Sequence, residues 1–218
     1  MKALEVQQRS DAWFEARRGL PTCSRFKQII TAAKGVRSEA QDTLINELIA
    51  ESILPPEQGL IHYISPEMEY GMKLEAEARC AYELEFAEEP VKEVGFLIAD
   101  CGLYGGSPDA LVGEVGGEEI KCPNPSTHIS YLRAGVLPDT YKQQVHGYLI
   151  VTGRRFWDFF SYARHFPPFY MRVHRDAYTE KLAAELPIFC ARYNAERAKF
   201  KLQPIGKPNV TTNPDRTS

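Results

Sequence analysis

The sequence predicts one α/β domain, an α+β arrangement in which a mixed sheet is flanked by helices. Three observations predict it. The length, 218 residues, matches one domain at roughly 100–200 residues each. Helical periodicity marks 38–54, 66–86, 126–134 and 138–152, while strand-like segments cluster between and after them. Gly116-Gly117 separates two strand-like runs in the manner of a hairpin. Helices, then a strand cluster, then helices and further strands suit a single packed core.

The elements follow in chain order. Ser10-Asp11 is a helix start before Trp13, Phe14 and Arg17, with Gly19 as its stop. A second short helix begins near Ser24 and carries Phe26, Ile29 and Ile30. In 38–54 Leu44, Ile45, Leu48, Ile49 and Ser52 share one face, and Pro55-Pro56 ends the helix. In 66–86 Leu74, Ala78, Ala81 and Tyr82 point inward. Val91 to Ile98, Asp109 to Val115 and Glu118 to Cys122 are strands. Helices at 126–134 and 138–152 precede strands Trp157–Ala163 and Phe169–His174, which Pro167-Pro168 separates. A last helix, 177–200, has a kink expected at Pro187. The domain is expected to span 1–202, with a disordered, proline-containing tail at 203–218.

Composition narrows the function classes. With 44% hydrophobic and 25% charged residues, the chain is not disordered as a whole. No run approaches 18 apolar residues, so no membrane span is expected. MKALEVQQRSDAW lacks the apolar core of a signal peptide, which makes the cytoplasm the expected location. The five cysteines are scattered and never spaced C-x-x-C, which argues against a disulfide framework, a zinc site or an iron–sulfur cluster.

The net charge of −3 does not suggest a nucleic-acid binder, but its distribution does. Residues 17–37 hold six basic side chains and no acid. Residues 38–119 hold 19 acids and three bases, and 120–175 hold eight bases and two acids. Folding that joins the two basic blocks would give a patch for a polyanion, with the acids outside or in a metal site. The bland alternative is a set of solvated helix faces.

The informative segment is GGSPDALVGEVGGEEIKCP, 105–123. Asp109 and Glu119 fall on neighbouring strands, where two carboxylates can hold a hard divalent cation, with the backbone carbonyl of Ile120 as a further ligand. Lys121 lies two residues from Glu119 and so shares its face. A cation beside an ammonium suits phosphodiester hydrolysis. The register matters. A two-residue turn at Gly116-Gly117 puts Asp109 and Glu119 on opposite faces. A three-residue loop, Val115 to Gly117, puts them on one face, so a nuclease site requires an odd loop or a bulge here. A surface hairpin with solvated charges is the competing explanation of this pattern.

Four blocks together resemble the PD-(D/E)-x-K nuclease superfamily, in particular the lambda-exonuclease-type branch, the YqaJ-like viral recombinase family. They are RSDAWFEARRGLPTCSRF at 9–26, GMKLEAEARCAYE at 71–83, GGSPDALV…EEIKCP at 105–123 and YKQQVHGYLIVTG at 141–153. They occur in family order. The resemblance implies a restriction-endonuclease-like core with Asp109, Glu119 and the helix residue Glu75 as metal ligands, Lys121 as the catalytic lysine and Gln144 beside the active site. It also implies a 5′-phosphate pocket of Arg17, Ser24 and Ser107, the W-x-x-x-R spacing from Trp13 selecting Arg17 over Arg18. Without the resemblance, Glu75 reads as an exposed helix residue, Gln144 as a polar neighbour of a buried stripe, Ser24 as a helix N-cap and Trp13 as core. Two positions depart from the family pattern. Cys23 replaces a small residue, and His146 stands where a second glutamine is usual. His62, His128, His165 and His174 are assigned no role, and that of His146 is left open.

The activity implied is that of a magnesium-dependent double-strand DNA exonuclease, with manganese as substitute and two ions per site. It digests 5′→3′ to leave 3′ overhangs for recombination by strand annealing. The resemblance further implies a homotrimer ring acting processively on DNA ends and a single-strand annealing protein as partner, in a bacterial or phage-infected cell. The alternatives are an endonuclease of the same superfamily, a non-catalytic DNA-end-binding module, or an interaction protein with an acidic face. A four-cysteine nuclease is disfavoured by the cysteine spacing.

Overall fold

The computed structural model describes residues 1–55 and 66–206. Strands are β1 (Lys2–Leu4), β2 (Val91–Glu93), β3 (Phe96–Ile98), β4 (Gly105–Gly106), β5 (Ala110–Val112), β6 (Gly116–Lys121), β7 (Phe156–Ser161) and β8 (Phe169–His174). Helices are α1 (Asp11–Arg17), α2 (Gln41–Ile53), α3 (Pro66–Glu85), α4 (Pro125–Ala134), α5 (Asp139–Thr152) and α6 (Ala177–Lys199), and a 3-10 helix covers Cys23–Gln28. The main sheet has the order β2-β5-β6-β7-β8, and a smaller one has β1-β3-β4. The β6–β7 pair is parallel, and the other pairs of the main sheet are antiparallel. A parallel pair needs a long crossover, which α4 and α5 supply.

Strand alternation divides the core into two. Val112, Ile120 and Phe160 pack with Ala78 and Tyr82 of α3. Leu111, Trp157 and Phe159 join the larger cluster built on α2, α5, α6 and the 3-10 helix. α6 supplies Leu182, Leu186, Phe189 and Tyr193 at helical spacing, is continuous through Pro187, and begins in a capping box of Asp176 and Thr179. His146 belongs to this junction. It is buried, contacts Thr179 Oγ1 at 2.7 Å, packs on Tyr178 and lies on the α6 side of α5.

The β5–β6 register pairs Ala110 with Glu118 and Val112 with Gly116. Extrapolated by one step, it sets Asp109 opposite Glu119. The loop has three residues, the odd number required, but it covers 113–115 rather than 115–117. Two features explain the shift. Gly113 adopts a positive φ of 49°, and Arg154 Nη1 donates to the carbonyls of Gly113 (2.7 Å) and Gly116 (2.6 Å). Gly116 and Gly117 instead lie inside β6, where a Cβ would strike the rings of Phe156 and Trp157. Gly117→Ala is therefore expected to lower stability by about 1–3 kcal/mol, as overpacking does, which a urea melt would measure.

Other departures are local. The stretch 91–98 is two strands in two sheets, because Gly95 passes against the backbone of Leu4 and Val6 with no room for a side chain. α1 ends as expected, with Arg18 as C-cap and Gly19 after it at a left-handed φ of 62°. The 3-10 helix is capped by Thr22, so Ser24 is not its N-cap. The chain from Gln203 to Gly206 lies against α6. Asn194 and Ile205 exchange hydrogen bonds, and Arg197 donates to the Gln203 carbonyl, so the ordered part extends past 202. Residues 207–218 of the expected tail, and His62, lie outside the described residues.

Candidate active site

Glu119 and Lys121 project from one face of β6, and Asp109 enters from the turn before β5. Glu119 is 2% exposed. Its Oε1 accepts from Lys121 Nζ and, at 2.6 Å, from Gln144 Nε2 of α5. Its Oε2 is buried with no hydrogen-bond partner. Asp109 Oδ2 accepts the backbone N–H of Ile120 at 2.7 Å. A strand residue turns its N–H and C=O to the same side. The Ile120 carbonyl therefore also faces the side where β5 has ended.

Electrostatics follow from this crowding. Burial raises the pKa of Asp109, against the pull of Lys121. Burial likewise raises Glu119, with Lys121 opposing and Asp109 adding to the rise. Burial lowers the Lys121 ammonium, but Glu119 and Asp109 more than reverse it, so Lys121 is held above its ordinary value and stays charged. An unpartnered carboxylate oxygen, a second carboxylate and a carbonyl form a hard-oxygen set that fits a divalent cation. Glu75 lies across a cleft of about 510 Å³ that it shares with Asp109, Arg9 and Arg79. There Arg9, at φ 68°, grips both Glu75 oxygens at 2.7 and 3.0 Å. Among the described residues no group of three or more His, Cys, Asp or Glu is gathered closely enough to hold a metal ion. Glu75 is thus brought to the cleft without joining Asp109 and Glu119 in one closed cluster.

The neighbouring Glu118 points to the opposite face, toward α3. It is fully buried, and both its oxygens lack hydrogen-bond partners. Burial, with Asp109 nearby, pushes it up to about 8. A carboxyl raised in the fold keeps its proton there after the unfolded chain has lost it. Its contribution is intact at low pH and is lost as pH rises toward and through 8. Glu118→Gln is expected to gain stability over wild type at pH 9, by a few kcal/mol at most, and little at pH 5. Melting temperatures at the two pH values check this.

A second polar group lies beside the carboxylates. Arg17 Nη1 donates to Ser107 Oγ at 3.0 Å, and Trp13 Nε1 donates to the same oxygen at 2.8 Å. The Arg17 guanidinium stacks over the Trp13 ring at 4.1 Å. Both lone pairs of the Ser107 hydroxyl are thereby occupied, and its proton is free to donate outward. Trp13 is thus half-buried and part of the site rather than core. Its i,i+4 relation to Arg17 on α1 was the available signal. Ser24 is exposed, with Thr22 Oγ1 at 3.3 Å, and the parallel bridge Thr22–Gly105 sets its segment alongside that of Ser107.

The expected basic patch forms only in part. Arg18 pairs with Glu15, Arg25 with Glu47 and Glu51, and Arg37 with Glu185. Arg17 has no ion-pair partner among the described residues, and burial lowers its pKa, so it is a cation placed to gain from an anion. Two further residues that sequence reasoning missed join these groups: Arg9, which reaches Glu75 only through the tertiary fold, and Tyr148, four residues after Gln144 on α5.

A mixed sheet brings two carboxylates and a lysine to one strand end, beside an arginine with no ion-pair partner among the described residues, which is the arrangement of a nuclease-type α/β domain. Residues 12–155 match the YqaJ-like viral recombinase domain, and the chain belongs to that family. The fold is similar to that of an alkaline exonuclease (LHK-Exo) from Laribacter hongkongensis. Identity is 32%, the TM-score is 0.77, and the match covers 88% of this chain and 96% of that one. The complex of LHK-Exo with dAMP matches at 33% identity and a TM-score of 0.76, with the same coverage. A phage-related exonuclease from Haemophilus somnus 129PT shares the fold at 13% identity and a TM-score of 0.60, over 83% of this chain and 96% of that one. No curated protein matches the chain. No helix among the described residues is long and apolar enough to cross a membrane.

Proposed function

We propose that the protein is a divalent-cation-dependent double-strand DNA exonuclease that degrades the 5′-ended strand and leaves 3′ overhangs for recombination by annealing. The observation that carries this reading is the register of β5 and β6, which sets Asp109 opposite Glu119 with Lys121 on the same face. The family and the likeness to LHK-Exo support it. So does the capture of that enzyme with dAMP, a nucleoside monophosphate of the class an exonuclease releases.

The 5′-phosphate docks on the Arg17 guanidinium and the Ser107 proton, with Ser24 at the margin. Asp109, Glu119, the Ile120 carbonyl and Glu75 would hold magnesium, two ions in the fullest form, with manganese as substitute. A bound cation would supply charge neutralisation at the scissile phosphate and a lowered pKa for the attacking water. The Lys121 ammonium orients that water, and Gln144 keeps the Glu119 carboxylate turned toward the reaction. A homotrimer ring around the duplex and a single-strand annealing protein as partner complete the proposal, and both rest on the family resemblance.

The test is digestion of linear duplex DNA beside a closed circle, each with magnesium and with EDTA. The expected result is magnesium-dependent loss of the linear DNA with the circle intact. A cut circle would move the assignment to an endonuclease of the same superfamily. Binding without digestion would favour a DNA-end-binding module.

A further inference from the structure

The phosphate-binding groups and the catalytic carboxylate are joined by one side chain that neither set contains. Tyr148 is 1% exposed, and its ring is stacked on Trp157 at 4.8 Å. Its hydroxyl donates to the backbone carbonyl of Ser107 at 3.0 Å. The same hydroxyl accepts from Gln144 Nε2 at 3.0 Å. That Gln144 nitrogen also donates to Glu119 Oε1 at 2.6 Å. Ser107 thus takes the Arg17 and Trp13 donors on its hydroxyl and Tyr148 on its backbone carbonyl, and through the hydrogen-bond chain of Tyr148 and Gln144 it is linked to Glu119. β4 is pressed onto the Tyr148 ring so closely that a Cβ at Gly106 would meet it at 2.7 Å. A shift of Ser107 therefore strains its hydrogen bond from Tyr148, and a shift of Tyr148 strains the bond from Gln144, the group that aims Glu119.

We propose that Tyr148 is a positioning residue that couples occupancy of the Ser107–Arg17 pocket by a 5′-terminal phosphate to the orientation of Glu119. The proposal rests on the exonuclease function above and adds how the end group reaches the reaction centre. Docking of a phosphate on Ser107 and Arg17 fixes the Ser107 backbone. The Tyr148 hydroxyl then fixes Gln144, and Gln144 holds Glu119 with its second oxygen toward the substrate. At an end bearing only a 5′-hydroxyl nothing docks on Ser107, and the chain contributes nothing. The phosphate thus accelerates the chemical step as well as helping the end to bind.

The experiment measures kcat and KM on duplexes with 5′-phosphate or 5′-hydroxyl ends for wild type, Tyr148→Phe, Gln144→Leu and the double variant. Phenylalanine keeps the stack on Trp157 and removes both hydrogen bonds. The expected result for Tyr148→Phe is a drop of about tenfold in the phosphate-to-hydroxyl rate ratio. That drop lies in kcat, with KM for phosphorylated ends within about twofold of wild type. Gln144→Leu breaks the same chain, so the double variant loses no more of the ratio than the larger single loss. A wild-type ratio in Tyr148→Phe, or losses that multiply in the double variant, overturns the coupling while leaving the exonuclease function standing. A wild type with no end-group preference overturns the coupling together with the pocket, and one with no digestion overturns the proposed function itself. If melting shows Tyr148→Phe unfolded, Gln144→Leu decides, and a retained ratio there overturns the coupling.

Discussion

Lys121→Ala is expected to lose cleavage by about 10²–10⁴-fold, the range for a positioned proton-handling group, while keeping its affinity for duplex ends. The reason lies in the packing. Lys121 bonds to a Glu119 that is otherwise buried, and its ammonium is held charged by Glu119 and Asp109. Removing it takes away the group that faces the water and leaves the buried Glu119 and the partly buried Asp109 with less compensation. The variant should therefore also melt lower without magnesium and recover part of the difference with it, since a bound cation stabilises the state that holds it. Single-turnover digestion, a gel-shift titration and paired melts measure the three effects. Wild-type digestion by Lys121→Ala would remove the lysine from the mechanism.

Arg17→Ala is expected to reduce kcat/KM on 5′-phosphorylated ends by about 10–100-fold, the cost of a lost charge-assisted hydrogen bond, and to change 5′-hydroxyl ends little. Arg18 is the internal control. It points to Glu15 and to the Leu54 carbonyl, so Arg18→Ala should leave the end preference alone. Equal losses at both kinds of end in Arg17→Ala would make Arg17 a general DNA contact rather than an end reader.

Local chemistry was legible in the sequence, and distant partners were not. Asp109, Glu119 and Lys121 follow from strand alternation within a dozen residues, and even the odd loop length could be required in advance. Its location was missed. Gly116-Gly117 imitates a turn, whereas these glycines are needed so that β6 can pass under Phe156 and Trp157. The strands β1 and β4 span three and two residues, too short to show a period. Trp13 reads as core because its indole partner, Ser107, is 94 residues away. The basic block at 17–37 overstates the polyanion surface, because α2 answers Arg25 with Glu47 and Glu51. Charge counting along a chain cannot see such pairs. After the pairs of Arg18, Arg25 and Arg37 are removed, Arg17, Lys27 and Lys34 remain, and of these Arg17 lies in the site.

The central claim is that the Asp109–Glu119–Lys121 site acts on a strand presented by its 5′-phosphate. Its most direct test is a linear duplex phosphorylated at one 5′ end only, with a different internal label in each strand, followed by strand-resolved electrophoresis with magnesium present. The account predicts that the strand carrying the 5′-phosphate is lost progressively from that end while its complement survives intact as single-stranded DNA. Loss of either strand from its 3′ end, or internal cuts in both, would contradict it.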